Sequence, residues 1–239
     1  MANTHFSGPV LYSGANNTAY FAGMADMPIG VNLSVFSLLD DFVEVAIDST
    51  NNWTVVKDAS ASVAIVADTV GGEVALTSAA TTDNDDASIQ GNEVFSVDAD
   101  KVLYFQTRLK CNDAAQTDIC VGLTVNFVTN PENMLTAADR IVFQVDDGNA
   151  SILCKTEKGG VETSTDSLVD LENDTYVVLG FQAVGTGVVY FFINGKLVAT
   201  HQTNIPDTEN MALAAMSLSG SASGTRATTL DYIFGAQTR

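Results

Sequence analysis

From Asp40 to its end the chain is a succession of short runs rich in β-branched and aromatic residues: FVEVAI, SVAIVAD, EVALTSA, KVLYFQTRLK, ICVGLTVNF, RIVFQV, SILCKT, TYVVLGFQAV, VVYFFI, KLVATH, MALAAMSL and TTLDYIFGA. Such residues fit a pleated, half-buried surface. Between the runs stand Gly71-Gly72, Asp147-Gly148, Gly159-Gly160 and Asn194-Gly195, pairs that supply the positive φ angles of tight hairpins. Many antiparallel strands at this spacing predict an all-β, two-sheet jelly-roll sandwich over residues 40–239. One stretch, Asn130 to Ala138, has an Asn cap, a proline in the first turn and an early Glu, and predicts a two-turn helical insert.

Alternation within the runs assigns faces. In KVLYFQTRLK it sends Leu103, Phe105, Thr107 and Leu109 toward the core. In the hairpin around Asn194-Gly195, a two-residue turn sets Ile193 opposite Lys196, Phe192 opposite Leu197, Phe191 opposite Val198 and Tyr190 opposite Ala199. One face then holds Tyr190, Phe192, Leu197, Ala199 and His201, and the other holds Phe191, Ile193 and Val198. Both are apolar, whereas a sandwich strand needs only one buried face. Tyr190, Phe192, Leu197 and His201 are therefore assigned to an interface, covered by an arm, a loop or another subunit.

Residues 1–39 have no sustained period and are rich in Gly, Asn, Pro and Ser. They read as an extended N-terminal arm that docks, because a free tail would leave Phe6, Tyr12, Tyr20 and Phe21 in water. Those four aromatics are the candidate partner-binding residues.

Charge narrows the partners. The 239 residues carry a formal net charge of -19, and the first Lys or Arg is Lys57. A phosphate backbone or an anionic membrane would be repelled along most of this surface, so neither nucleic acid nor membrane is expected. The start of the chain has neither the basic nor the apolar region of a signal peptide, which predicts a product made in the cytoplasm that stays soluble. A chain this long needs no disulfide or metal to build a core. Cys111, Cys120 and Cys154 form no C-x-x-C pair and read as buried reduced thiols, with a Cys111–Cys120 disulfide left open.

The hairpin VVYFFINGKLVA followed by TTLDYIFGA resembles the C-terminal strand motifs of concanavalin A-like lectin/glucanase jelly rolls, which include laminin-G-like and bacteriophage structural proteins. The order of DDF, NNWTVVKDASASVAIVAD, GGEVALTSAATTDNDDASIQGNEVF, KVLYFQTRLK and VGLTV looks like phage virion proteins of this fold, whose N-terminal segments read like NTHFSGPV. The likeness runs roughly from Asp40 to the end. It implies a virion component, without fixing which.

Glycoside hydrolases of this fold carry a Glu-x-Asp-x-Glu or Glu-x-Asp-x-x-Glu run, whose period of two puts the carboxylates on one face. The chain has no such run. Glu44 and Asp48 stand about 13 Å apart along a strand, too far for a retaining pair at about 5 Å, and Asp170 with Glu172 leads straight into a turn. His5 and His201 have no nucleophile motif beside them, and His201 reads as a packed or interface residue. A calcium ion is the one cofactor considered, at Asp83, Asp85 and Asp86, although the run has Ser88 where an EF-hand loop needs Gly and Val94 where it needs Glu. For sugar binding Trp53, Tyr104 and Tyr190 are available, but Trp53 at a strand start reads as a core anchor. The expectation is a non-enzymatic decoration protein on the outer surface of a phage capsid. It would bind the major capsid protein and sister subunits as a homo-oligomer, for which a trimer is plausible. The alternative is a carbohydrate-binding receptor module of a tail or tail fibre.

Overall fold

Among the described residues the order of pairing builds two antiparallel sheets of eight strands each. The computed structural model describes residues 35–78, 84–127, 134–220 and 224–239. Sheet I runs β14 (Lys196–His201), β13 (Val188–Ile193), β12 (Val177–Val184), β7 (Val102–Cys111) and β16 (Ala227–Thr238). The far side of β16 is shared by β4 (Val74–Thr77), which leads on to β3 (Ser62–Ile65), and by β1 (Val35–Asp40). Sheet II runs β11 (Val161–Asp170), β10 (Asn149–Lys158), β9 (Arg140–Asp146), β8 (Thr117–Thr124), β15 (Asn210–Ser219), β5 (Asp86–Gln90) and β2 (Thr54–Lys57), with the short β6 (Phe95–Ser96) on β15.

The two inner faces meet in one core, as the alternation in β7 foretold: Leu103, Phe105, Thr107 and Leu109 are all buried. Phe105 stacks on Phe181 at 5.0 Å, and Phe143 of sheet II meets Phe191 of sheet I edge-on at 5.3 Å. Offset and edge-to-face pairs of this kind add about 0.5–1.5 kcal/mol each beyond the area they bury. The three cysteines are separate, buried free thiols. Burial pushes the Cys120 and Cys154 thiols up to about 12, so they act as small apolar side chains.

The hairpin forms on its Asn-Gly turn, where Asn194 and Gly195 have φ of 49° and 76°. Ile193 pairs with Lys196 and Phe192 with Leu197, as expected. A bulge then shifts the register, so Phe191 faces Ala199, Tyr190 faces Thr200 and Val189 faces His201. An extra residue on one strand turns everything beyond it to the opposite face. His201 is thus corrected out of the outer interface: it is buried against the ring of Phe191 at 5.0 Å.

His201 joins the sheets through hydroxyls. Thr156 Oγ1 donates to the Thr203 carbonyl at 3.2 Å, so it accepts at 3.0 Å from His201 Nδ1–H. Nε2 is left to accept from Thr165 Oγ1, also at 3.0 Å. This is a neutral imidazole, and burial holds its pKa below the ordinary value.

Two expected elements are absent where the chain is described. FVEVAI is no strand: Val43 and Val45 are exposed, and Phe42, at φ 51°, turns into the core. The first paired strand among the described residues is instead VFSLLD, on β16. Of the expected helix, residues 130–133 lie outside the described residues; Met134 is in a 3-10 turn, and Leu135 to Ala138 continue through a turn and a bend with no α-helix.

Candidate functional site

At the edge of the sandwich beside β1 a groove of about 520 Å³ opens between the sheets. Its position follows from a short local design. Asp40 Oδ1 accepts the Phe42 amide at 2.8 Å, which turns the chain inward, while Oδ2 accepts Trp53 Nε1–H at 2.6 Å. Phe42 and Trp53 pack at 6.1 Å between ring centres, and Trp53 is only 7% exposed. Trp53 is thus the anchor the sequence suggested, and its face is not open for stacking on a sugar. The walls are apolar, with Leu39 at 60% and Val43 at 70% exposure.

The rim is acidic and amidic, with Asp40, Asp41, Glu44, Asn51 and Asn52. Burial, then the charges of Asp231 and Asp40, raise the Asp41 pKa above the ordinary carboxylate value. Beyond it, Asp48 is hydrogen-bonded by the Asn51 side chain and by the amides of Asn51 and Thr50, which hold its pKa low. Glu44 sits in a bend and Asp48 in a turn, so the shared strand face once considered for them does not exist.

The outer face of sheet II is organised differently. Cys120, Val142, Ala214 and Met216 on the strands pack with Phe127 and Met134 of the β8–β9 connection in a second hydrophobic cluster. Beside it Arg140 is buried. Its Nε donates to Glu157 at 2.8 Å, Nη2 to Glu162 at 2.9 Å, and Nη1 to the Met134 carbonyl at 2.8 Å and to Gln144 at 3.2 Å. Lys155 reaches Glu162 at 3.3 Å. Sequence reasoning missed this network, although Arg140, Lys155, Glu157 and Glu162 stood at outward positions of predicted or adjacent runs.

The other candidate residues are scattered. Phe6, Tyr12, Tyr20, Phe21 and Asp83 lie outside the described residues, as does His5. Asp85 accepts from Ser60 Oγ at 3.0 Å, and Asp86 opens β5 instead of standing in a loop. Among the described residues no three His, Cys, Asp or Glu side chains are placed to hold a metal ion. Asp170 ends β11 and Glu172 follows in a turn. Tyr190, Phe192 and Leu197 share the outer face of sheet I, where Gln182 Nε2 donates to Tyr104 Oη at 3.3 Å.

No family model matches the chain, and no curated protein matches it by sequence. Solved structures do. A Shewanella oneidensis protein of unknown function, SO2946, is 14% identical, covers 95% of this chain and 96% of its own, and has a TM-score of 0.61. A Bacteroides ovatus GH16 from a mixed-linkage glucan locus, solved with a product, is 12% identical over 82% of this chain and 98% of its own, with a TM-score of 0.59. The potassium-bound carbohydrate recognition domain of Emp46p is 9% identical over 84% of this chain and 95% of its own, with a TM-score of 0.58.

These likenesses correct the expectation of a non-enzymatic chain, because glycoside hydrolases stand among its structural neighbours. The expectation relied on one strand carrying both carboxylates. Asp118 on β8 and Asp146 on β9 each stand one residue past the Ile119–Val145 pair, the last pair that joins the two strands. Asp118 accepts the Asp147 amide at 2.7 Å, and Asp146 accepts from Gln144 Nε2. At these identities the likeness is one of fold: the chain is a two-sheet jelly roll of the concanavalin A-like lectin/glucanase kind.

Proposed function

We propose that the chain is a structural component of a bacteriophage particle. It would be a decoration protein that sits on the outer shell of the head and holds the major capsid protein and sister subunits through the groove beside β1. The observation that carries this reading is the exposed apolar wall of that groove, Leu39 and Val43 above all, on a domain otherwise strongly acidic. Exposed aliphatic residues grouped at one mouth mark a surface for protein. The resemblance of the strand motifs to phage virion proteins supports the same partner. The test is copy number in purified particles: a decoration protein is present in hundreds of copies and co-sediments with shells, and Val43→Asp abolishes that binding. A few copies per particle would refute it.

A glycan-directed role on a tail or tail fibre is the second reading. It is favoured by the acids and amides at the groove rim and by Asp118 and Asp146, each one residue past the last β8–β9 pair. On this reading the chain retains oligosaccharides on a glycan array, and any release of reducing ends from them is lost in Asp118→Asn. Failure to bind any glycan, with no sugar released, removes it.

A further inference from the structure

Sheet edges are guarded against stray pairing by short length, bulges, charges or a cover, and among the described residues every edge strand but one has such a guard. β2 and β3 have four residues each, and β6 has two. β11 carries Glu162, Asp166 and Asp170 and is out of step with β10 beyond Leu153, while β14 is bulged against β13. These last two edges also close on each other, where Thr165 Oγ1 donates to His201 Nε2 at 3.0 Å. β1 has no guard of this kind. Its six residues pair with β16 in unbroken register and hold no charge before Asp40. Leu38 is 44% exposed and Leu39 60%, and no described strand pairs with the second side of β1.

We propose that β1 takes up an extended strand of a partner protein along this second side, one that sets alternate apolar side chains into the groove and brings lysine or arginine to its acidic rim.

The inference rests on the reading of the groove as a protein contact and says how that contact is made; on that reading the shell protein supplies the strand. When a strand is added to a sheet edge, main-chain hydrogen bonds give affinity and pockets for alternate side chains give choice. The groove supplies the apolar surface, with Leu38, Leu39, Val43 and Val94 exposed along it. Its rim sets the charge of the occupant. Asp40, Asp41 and Glu44 make no ion pair among the described residues, and Asp41, besides its burial, already feels the charges of Asp231 and Asp40. A lysine or arginine arriving there relieves that repulsion. A second copy of the chain instead brings a net charge of -19 and has no Lys or Arg before Lys57, so it adds to the repulsion.

The test uses the full chain and two labelled peptides of about ten residues, in which valine alternates with lysine in one and with glutamate in the other. Pairing runs through main-chain groups, so the demand on sequence is loose and such probes suffice. In fluorescence anisotropy at low salt the lysine peptide binds about tenfold more tightly than the glutamate peptide. It also slows amide exchange about tenfold at alternate residues of β1, those whose N–H groups do not face β16. Asp41→Asn combined with Glu44→Gln removes the preference and keeps the protection. No binding, equal binding of the two peptides, or β1 amides left unprotected overturns the proposal. So does protection that is present without peptide and lost on dilution, which would give the edge to a second copy. Unprotected β1 amides in a chain whose Val43→Asp variant no longer binds shells would overturn strand pairing alone and leave the groove a contact made by side chains. A Val43→Asp variant that still binds shells would overturn the reading beneath, and the pairing with it.

Discussion

The outer face of sheet II and the groove beside β1 both gather acidic side chains, and the chain treats them in opposite ways. On sheet II Glu157 and Glu162 are met by Arg140 and Lys155, and the Met134 carbonyl is tied into the same guanidinium. At the groove Asp40, Asp41 and Glu44 make no ion pair among the described residues, and aliphatic side chains stand open beside them. A face with its charges matched and its apolar atoms packed has no reason to take a partner; a mouth with neither does. The difference separates residues kept for stability from residues available for contact.

The comparison breaks most decisively at Arg140. Arg140→Ala leaves Glu157 buried without its partner and the Met134 carbonyl without its donor, a situation that costs about 3–5 kcal/mol. Urea unfolding should show a midpoint lowered to match, with an unchanged slope. A loss below about 1 kcal/mol would mean that the network is solvated and the face open. Next comes Gly122, on the same face of β8. It has φ 154°, and a Cβ there would lie 2.3 Å from the Ile141 carbonyl. Gly122→Ala must push β8 from β9, with an expected loss of about 2–3 kcal/mol by the same measurement.

Much of this fold was legible in the sequence because its strands alternate or run apolar and its turns use Gly and Asn. β11 was not legible. VETSTDSLVD mixes hydroxyls with acids and has an exposed edge pattern, and it is tied down by contacts with residues such as His201, far along the chain. β1 was hidden for another reason: VFSLLD adjoins a segment without period, and only its partner β16 identifies it as a strand. The groove was invisible because it depends on a turn at Phe42 that no propensity favours. The bulge after Phe192 likewise left no mark, which is why His201 was given the wrong face.

His201 gives a smaller, pH-dependent effect under the Arg140 half of sheet II. Its folded pKa lies below the unfolded value near 6.5. Below pH 6.5 the unfolded chain therefore takes up a proton that the native one refuses. The stability it supports is present above that pH and is lost as pH falls through the folded pKa. In His201→Gln this part of the pH dependence should vanish, with a cost of about 1 kcal/mol at neutral pH for the lost ring contact with Phe191. A melting temperature with the same slope between pH 7 and about 5 in both proteins would mean that other groups carry it.

The smallest expected change in stability is at the groove, and it is the most informative about function. Leu39→Ser removes an exposed side chain at 60% accessibility, so unfolding should shift by no more than about 0.5 kcal/mol. If the open mouth is a contact surface, that same substitution weakens co-sedimentation with shells severalfold, because the partner would have buried this leucine. Arg140→Gln, by contrast, should lower stability and leave binding by the folded protein unchanged. A Leu39→Ser protein that is clearly destabilised would show that the wall supports the fold, and the contrast between the two regions would fail at its open end.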